Sequence, residues 1–284
     1  MASASSIRRV LAIAGSDSGG GAGIQADLKA FARCGVHGMT AITAITAQNT
    51  VAVTAVEPVS PAMIVAQVRA VADDIGVDAV KIGMLGTIET ITAVEEALEA
   101  LPSSTPVVLD PVMFAESGAE LLEAPAREAL VERLLPRATV ATPNLLEARS
   151  LAGMPGVPGV TGVAGGDDAA ETEGLARAVH ALGPAAVVVT GGHREPASDL
   201  FFDGETMVEI PGERHPGGAA HGSGCTHSSA LAAHLALGLD PLAAAREARA
   251  AAGAAVRDGL RGLGAGAGPV DVTGIGARSP TPLS

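Results

Sequence analysis

The sequence of 284 residues contains no tryptophan, no tyrosine and four phenylalanines. Proteins that bind single-stranded nucleic acid stack its bases on aromatic side chains, and that platform is missing here. Basic residues are also scarce, because 18 Lys and Arg face 31 Asp and Glu and give a formal net charge of −13. A phosphate backbone needs a basic surface, so the composition argues against nucleic acid as a partner.

Cysteine is nearly absent as well. Cys34 and Cys225 are the two thiols, and they lie far apart and outside any Cys-x-x-Cys spacing. This excludes a disulfide scaffold and a thiolate metal site, and it suits a reducing compartment. The apolar run within Ile7–Ala14 is too short for a secretion signal or a membrane span, so the sequence predicts a cytoplasmic protein with no membrane partner.

Aliphatic residues supply most of the 48% hydrophobic content, which is enough to bury a sizeable core. Short, continuous β-branched runs alternate with helical patterns along the chain. Strands buried on both faces of a parallel sheet have this pattern, so we predict an α/β fold with helices on both sides of the sheet. The predicted strands are Val10–Ala14, Met39–Thr46, Ala79–Ile82, Val107–Asp110, Thr139–Thr142 and Val187–Thr190.

The remaining segments complete a single predicted domain over residues 1–284. Helical patterns follow Pro61 and cover Leu121–Leu135, and Phe201–Ile210 reads as a hairpin that adds an antiparallel edge to the sheet. The Gly- and Pro-rich stretch Gly153–Gly166 is interpreted as a surface loop rather than a linker between domains.

The two ends of the chain have a different composition from its body. Residues 1–6 are small and polar, and Gly, Ala, Ser and Pro dominate from about residue 262. Both ends are therefore expected to be flexible, the second as a loosely held tail.

A glycine-rich turn, Gly222-Ser223-Gly224, leads directly into an apolar helix with Cys225 in its first turn. Helix N-termini carry unpaired N–H groups and a partial positive charge, and glycine lets an anion approach them closely. We therefore predict an anion hole. The same field would lower the pKa of Cys225 and make it partly thiolate, able to accept a proton or attack as a nucleophile. The alternative is an ordinary helix start with a buried Cys.

A second glycine loop, Gly21–Ala26, matches the Gly-x-Gly-x-x-Ala pattern of dinucleotide-binding proteins. Such a site needs an acidic residue at the end of the next strand to hold the ribose. Gln48 and Asn49 stand there instead, so a dehydrogenase is disfavoured.

Asp27 lies three residues after Ile24 and four before Phe31, so a helix that begins near Gly23 would turn it inward. A buried carboxylate needs hydrogen-bond donors. A polar small molecule, together with the amide of Gln48, could supply them. The alternative is an acid placed in the first turn by the helix dipole.

Asp110 directly follows a buried strand, and Glu147 lies three residues after Asn144 near the end of another. Open α/β sheets bind their ligands at the carboxyl ends of the strands. Carboxylates at two such ends suit hydrated Mg²⁺ and a nucleoside triphosphate. For Glu147 taken alone, helix capping is the stronger explanation.

Taken together, these stretches resemble the hydroxymethylpyrimidine/phosphomethylpyrimidine kinases of thiamine biosynthesis, in the ribokinase-like superfamily. The resemblance extends from about Val10 to Pro269. It implies a three-layer αβα sandwich whose mostly parallel central sheet has an antiparallel edge hairpin. The stretches that carry it are Ala14–Asp17, Gly23–Lys29, Ala47–Thr50, Lys81–Met84, Leu109–Met113, Thr142–Ala148, Gly191–His193 and His221–Thr226.

The resemblance implies an ATP-binding transferase that phosphorylates 4-amino-5-hydroxymethyl-2-methylpyrimidine and then its monophosphate. It further implies a homodimer. Pyridoxal (vitamin B6) kinase of the same fold is the alternative activity, and a non-catalytic protein that binds a pyrimidine or a nucleotide is the alternative outside enzymes.

The resemblance also assigns roles to particular residues. Gln48 and Asp27 would hold the aminopyrimidine, in a pocket lined by Ala22, Met84 and Val112. ATP would lie against Asn144, Thr190, Gly222 and Gly224, and Asp110 and Glu147 would organise Mg²⁺ through water. Catalysis would rest on Cys225 and on the loop Gly222, Ser223 and Gly224, which would stabilise the moving phosphoryl group.

Two departures from the family pattern affect these expectations. Thr190 stands where some members have a Lys that reaches phosphate, and Ser223 replaces the usual Thr. With Thr190 uncharged, neutralisation of phosphate would depend on metal ions and N–H groups, and the second phosphorylation is less firmly implied than the first.

Overall fold

A computed structural model describes residues 7–114, 118, 121–153, 169–191 and 197–277. Its strands are β1 (Arg9–Ala14), β2 (His37–Ile42), β3 (Ala44–Gln48), β4 (Val53–Pro58), β5 (Ala79–Ile82), β6 (Val107–Leu109), β7 (Val140–Ala141), β8 (Val187–Val189), β9 (Asp199–Phe202) and β10 (Met207–Ile210). Its α-helices are α1 (Gly23–Arg33), α2 (Pro61–Asp74), α3 (Ile88–Leu98), α4 (Ala124–Ala129), α5 (Leu145–Leu151), α6 (Ala169–His180), α7 (Ser223–Ala236) and α8 (Pro241–Arg257).

Eight strands form one sheet in the order β10-β9-β8-β7-β6-β5-β1-β2. All neighbouring pairs from β2 to β8 are parallel, whereas β9 runs antiparallel to both β8 and β10. The core residues separate into two main clusters, one on each face of this sheet. Helices α1, α7 and α8 cover one face and α2 to α6 cover the other. The predicted three-layer sandwich and its antiparallel edge hairpin are confirmed.

The central strands are buried on both sides, which explains their continuous apolar sequences. In β1, every residue from Val10 to Ala14 is fully buried. Helix α1 connects β1 to β2 on one side of it, and the chain later returns through α2 to β5 on the other side of β1. Such a reversal opens a crevice at the carboxyl ends of the strands, where ligands bind in α/β folds.

The prediction of one strand over Met39–Thr46 is wrong, because the chain divides there into β2 and β3. The Thr43 N–H still donates to Ala14 O, but the next contact is the Ser16 N–H donating to Ala44 O. From Ala44 the chain leaves the large sheet and pairs with β4 in a separate two-stranded sheet. Apolar residues occupy both strands, so the hydrophobic pattern did not mark the break.

Two further segments differ from the sequence-based expectation. The helix predicted over Leu121–Leu135 begins at Ala124, and after Ala129 it continues as a π-helical segment, Leu130–Leu134. The strand β4 was not predicted at all, because its side chains are mostly exposed and form no buried apolar run.

The first part of the expected C-terminal tail packs against the body. Val270 and Val272 are buried, and Pro269 forms a bridge with His221. The expectation of a loosely held tail is therefore not met in this part. Apart from Gly153, the Gly153–Gly166 stretch lies outside the described residues. Within the described ranges, no helix combines the length and apolar character needed to cross a membrane.

Candidate active site

The described residues enclose a cavity of about 320 Å³ at the carboxyl ends of β1, β5, β6, β7 and β8. This volume lies within the range of small-molecule sites. Twelve of the thirteen residues that the sequence analysis assigned to a site line it, and the exception is Asp27. The twelve are Ala22, Gln48, Met84, Asp110, Val112, Asn144, Glu147, Thr190, Gly222, Ser223, Gly224 and Cys225.

The N-terminus of α7 opens into this cavity. Gly222 precedes the helix in the left-handed conformation with φ of 84°, and a Cβ there would overlap the carbonyl oxygen of Gly21. The Ser223 N–H donates to Ala220 O. Among the described residues, the N–H groups of Gly224 and Cys225 have no backbone acceptor. Unpaired N–H groups at the positive end of a helix dipole are the arrangement that binds anions, so the anion hole at this helix stays a prediction that the geometry suits.

The thiol of Cys225 is protonated at neutral pH, contrary to the prediction of a partial thiolate. Burial raises its pKa to about 12, because desolvation and the nearby Asp27 and Asp110 outweigh the charge of Lys81 and the N–H of Gly23. Helix position alone predicted the opposite direction. The two carboxylates come from distant segments, so their effect on the thiol could not be inferred from local sequence.

Asp27 finds its donors inside the protein rather than in a substrate. Its Oδ1 accepts a hydrogen bond from Lys81 Nζ at 2.8 Å and another from Ser229 Oγ at 2.7 Å. The donors of Oδ1 are therefore neither Gln48 nor a ligand, whereas the buried Oδ2 has no hydrogen-bond partner among the described residues. Asp27 is fully buried beneath the cavity, and Lys81 stands between the two.

Lys81 is a site residue that the sequence analysis missed. It lies in the central strand β5, is fully buried and lines the cavity. Although burial lowers the pKa of its ammonium group, the negative charges of Asp27, the larger effect, and of Asp110 outweigh this and raise it. Lys81 therefore carries a positive charge. A lysine within the otherwise apolar run Ala-Val-Lys-Ile was the available signal, since an unpaired buried ammonium is costly.

Asp110 and Glu147 lie at neighbouring strand ends, as predicted. Asp110 Oδ2 accepts a hydrogen bond from Ser228 Oγ at 2.9 Å, and burial raises its pKa against the opposing charge of Lys81. Burial and the nearby charge of Asp110 raise the pKa of Glu147 to about 8. The effect of Asp110 on the pKa of Glu147 shows that the two carboxyl groups lie near each other.

Glu147 also caps the helix α5, as the alternative interpretation predicted, whereas its role toward Mg²⁺ stays a prediction. Its Oε2 accepts from the Asn144 N–H at 2.9 Å, while Asn144 Oδ1 accepts from the Glu147 N–H at 2.9 Å. This reciprocal capping box fixes both side chains at the edge of the cavity. The side-chain amide nitrogen of Asn144 is not part of the box.

The opposite end of the cavity lies between β8 and α8. Thr190 forms a parallel bridge with Asn144, and its N–H donates to Pro143 O. Small and apolar residues of α8, namely Ala252, Gly253 and Val256, form the wall. Gly192 and His193, which belong to the motif after β8, lie outside the described residues.

The pocket near β1 and β3 has apolar walls and one amide. Ala22, Met84 and Val112 supply the walls, and Gln48 is the polar side chain among the predicted contacts. The backbone of Gln48 is held by Ser18, whose Oγ donates to Gln48 O at 2.6 Å and accepts from the Gln48 N–H at 2.8 Å. These two hydrogen bonds fix the backbone position from which the Gln48 side chain extends.

The structure combines an open α/β sandwich with a cavity that joins a helix N-terminus, two carboxyl groups and an apolar pocket. This combination is that of the ribokinase-like small-molecule kinases.

Comparison with known proteins identifies the family within this class. The family model for phosphomethylpyrimidine kinase matches residues 17–271. A hydroxymethylpyrimidine/phosphomethylpyrimidine kinase of Rhizobium meliloti is 49% identical over 92% of this chain and 95% of its own. A pyridoxine kinase of Bacillus subtilis is 42% identical over 83% and 85%. The structure of Staphylococcus aureus pyridoxal kinase in complex with ADP superposes with a TM-score of 0.82, 35% identity and coverage of 94% and 93%. The chain belongs to the phosphomethylpyrimidine kinase family.

Proposed function

We propose that this kinase transfers the γ-phosphoryl group of ATP to 4-amino-5-hydroxymethyl-2-methylpyrimidine and then to the monophosphate, in thiamine biosynthesis. The relative from Rhizobium meliloti, 49% identical, carries both activities in its name. The observation on which the proposal depends most is the meeting of an apolar pocket, bearing one amide, with the N-terminus of α7 in one cavity.

The acceptor is proposed to lie in the pocket near β1 and β3. Ala22, Met84 and Val112 would contact the faces and methyl group of the pyrimidine, and the Gln48 amide would pair with its ring nitrogen and amino group. Asp27 does not line this pocket, so it would act on the acceptor side through Lys81, whose ammonium group it holds in place.

ATP is proposed to lie between Thr190 and the wall of α8, with its γ-phosphate at the N–H groups of Gly224 and Cys225. The acceptor hydroxyl oxygen forms a bond to phosphorus while the bond from phosphorus to the β-phosphate oxygen breaks. The hydroxyl proton passes to an oxygen of the transferred phosphoryl group, and ADP leaves. In a loose transition state, positioning and charge stabilisation dominate over removal of the hydroxyl proton. A protonated Cys225 would therefore contribute through its N–H group more than as a base.

Mg²⁺ is proposed at Asp110 and Glu147. Within the described ranges, no three acidic, histidine or cysteine side chains gather into a ready-made metal site. Two carboxylates nevertheless fit a Mg²⁺ ion that keeps several waters and takes phosphate oxygens as further ligands. When bound, the ion would neutralise phosphate charge, which matters more here because Thr190 carries none.

The proposal is tested by coupled measurement of ADP release with the pyrimidine alcohol, its monophosphate and pyridoxal as acceptors. We expect ADP release with the two pyrimidines. The similarity to pyridoxine and pyridoxal kinases makes vitamin B6 the second candidate acceptor. Faster turnover with pyridoxal would favour that activity, and no ADP release with any acceptor would favour a binding protein.

A Gln48→Ala variant tests the acceptor pocket. Loss of the amide leaves polar atoms of the ring unpaired, so pyrimidine binding should weaken by about 1–3 kcal/mol while ATP binding is little changed. Gln67→Ala is the matched control, because the Gln67 amide, as far as the described residues show, bonds to the backbone of Ile42 alone. Titration of both ligands against both variants checks this, and equal losses for ATP and pyrimidine would contradict the assignment.

The family resemblance also predicts a homodimer and a cytoplasmic location, and we keep both as proposals. Light scattering of the purified protein would determine its oligomeric state.

A further inference from the structure

Two glycine-containing loops meet at the mouth of the cavity. One follows β1 and covers residues 17–22, and the other, residues 220–222, leads into α7. Their backbones are in direct contact. A Cβ on Gly222 would overlap the carbonyl oxygen of Gly21, and a Cβ on Gly21 would overlap the ring of His221. Neither loop can move toward the other, and a larger residue at either glycine would force them apart.

Asp17 organises the first loop from inside. It is 1% exposed. Its Oδ1 accepts from the Gly19 N–H at 2.8 Å, and its Oδ2 accepts from the N–H groups of Gly21 at 3.0 Å and Ala22 at 2.8 Å. The N–H of Asp17 itself donates to Gln25 in α1 at 2.9 Å. One carboxylate therefore sets the position of Ala22, a wall of the acceptor pocket.

His221 connects the same carboxylate to the second loop. Its Nε2 lies 3.0 Å from Asp17 Oδ2. Its backbone is held separately, since its carbonyl oxygen accepts from the Val270 N–H at 3.0 Å and its N–H donates to Gly268 O at 3.4 Å. The residue directly after it is Gly222, which begins the anion site.

The lowered pKa of Asp17 favours a stable hydrogen bond to His221. Burial raises its pKa, but the hydrogen bond from His221 and the N–H groups of Ala22 and Gly19 outweigh this and hold it below the usual range. Asp17 is thus a carboxylate at neutral pH, and His221 donates to it. Four donors occupy its oxygens, and it does not line the cavity, so it is not free to bind a metal ion or accept a substrate proton.

We propose that Asp17 and His221 are positioning residues that lock the acceptor pocket to the anion site. This rests on the proposed function, because it assumes that the acceptor lies against Ala22 and the phosphoryl group at α7. Each ligand contacts only one loop, so breaking the link should leave both binding steps intact. It should instead disturb the distance between the two reacting groups, and a misplacement of 1 Å costs about 100-fold in rate.

Kinetics of three variants test the lock. Asp17→Asn removes the charge and replaces one acceptor oxygen with an NH2 group. His221→Leu removes the donor, and His221→Gln keeps an amide N–H donor at a similar reach. We expect kcat to fall about 100-fold in the first two, with KM for ATP and for the pyrimidine changed less than about threefold. The kcat of His221→Gln should be at least about tenfold higher than that of His221→Leu. Asp17→Asn/His221→Leu should be no slower than the worse single variant, since both break one link.

Hydrogen exchange of the ligand-free protein tests the link without any activity. In His221→Leu, the amides of residues 19–24 and of 221–226 should both exchange faster than in the unaltered protein. Lys29→Met is the matched control, because Lys29 Nζ donates to Gly20 O at 2.6 Å in the first loop but does not contact the second. It should speed exchange in residues 19–24 alone.

The outcomes separate the lock from the function. If the unaltered protein phosphorylates none of the acceptors, the proposed function fails, while the exchange result still decides whether the loops are linked. An active protein whose Asp17→Asn and His221→Leu variants keep their kcat overturns the lock. So does a large rise in one KM at constant kcat, or faster exchange in one loop only.

Discussion

At the scale of single residues, Lys81 is the side chain whose environment most demands an explanation. Burial of an ammonium group costs several kcal/mol unless it is paired. Asp27 supplies the pair, and Gly83 supplies the space, since a Cβ there would lie 2.8 Å from Lys81 Nζ. The sequence Lys-Ile-Gly thus provides both the charge and the gap that contains it.

We expect Lys81→Met to lower the free energy of unfolding by about 3–5 kcal/mol, because it leaves Asp27 buried without its partner. Lys81→Met/Asp27→Leu should recover most of this loss. Turnover should stay low in both variants, since the positive charge beside Cys225 and Asp110 is gone. Urea unfolding and ADP release check the two effects separately. Normal turnover in the double variant would restrict Lys81 to a role in folding.

The protonation of the Cys225 thiol can be tested by its rate of alkylation. Since its pKa is raised to about 12, its alkylation rate should rise steadily with pH through 7 to 10 without a plateau. Iodoacetamide labelling in a Cys34→Ser background, followed by mass spectrometry, measures this. A plateau below pH 8 would show a thiolate and restore Cys225 as a candidate base.

At the scale of elements, α7 carries the proposed anion site at its first turn and packs on one face of the sheet along its length. Most of its residues are buried, including the four consecutive residues Thr226, His227, Ser228 and Ser229. Three of these reach other parts of the site: Ser228 donates to Asp110, Ser229 donates to Asp27, and His227 lies beside Asp199. A shift of this helix would move all three contacts at once.

Gly222→Ala tests the start of α7. Its φ of 84° and its contact with Gly21 exclude a side chain, so we expect a loss of more than about 1 kcal/mol in stability and of about 100-fold in turnover. Gly174→Ala is the control, because that glycine lies within α6 with open space around it. It should gain about 0.5–1 kcal/mol and keep its turnover. Thermal melts and ADP release measure both effects. Equal stability and turnover of the two variants would contradict the expectation.

At the scale of the whole molecule, Asp199 joins the antiparallel end of the sheet to two helices. Its Oδ1 accepts from the Gly191 N–H at 2.9 Å, its Oδ2 lies 3.2 Å from His227 Nε2 in α7, and Arg249 Nε of α8 is 3.9 Å away. Burial raises its pKa, but His227, Arg249 and the Gly191 N–H outweigh this and hold it below its ordinary value.

A carboxyl group with a lowered pKa stabilises the fold above its unfolded pKa, near 4, and loses this contribution as pH falls further. Asp199→Asn should therefore lower the free energy of unfolding by about 1–3 kcal/mol at pH 7 and reduce the loss of stability between about pH 5 and 3. Denaturant unfolding across this pH range measures both effects. Glu205→Gln, in the exposed turn of the same hairpin, should change neither appreciably. Parallel pH curves for Asp199→Asn and the unaltered protein would contradict the argument.

The local sequence determined the elements and the edge of the sheet at which the site lies. Buried strands have unbroken apolar runs, and parallel strands end on one side, so Asp110, Glu147 and the glycine turn before Cys225 could be placed together without any structure. Where burial was the wrong guide, as in the exposed β4 and the divided β2 and β3, the pattern failed.

Only the tertiary structure decided which groups meet inside the protein. Asp27 and Lys81 are 54 residues apart, and Asp17 and His221 are 204 apart. No local pattern pairs them, because each pair forms only when distant segments pack together. The same packing buries Cys225 and brings Asp27 and Asp110 close to it, and together these effects, burial above all, reverse the direction of its pKa shift. Sequence periodicity records which face of an element is buried, whereas the charge state of a buried group depends on all the groups that surround it in space.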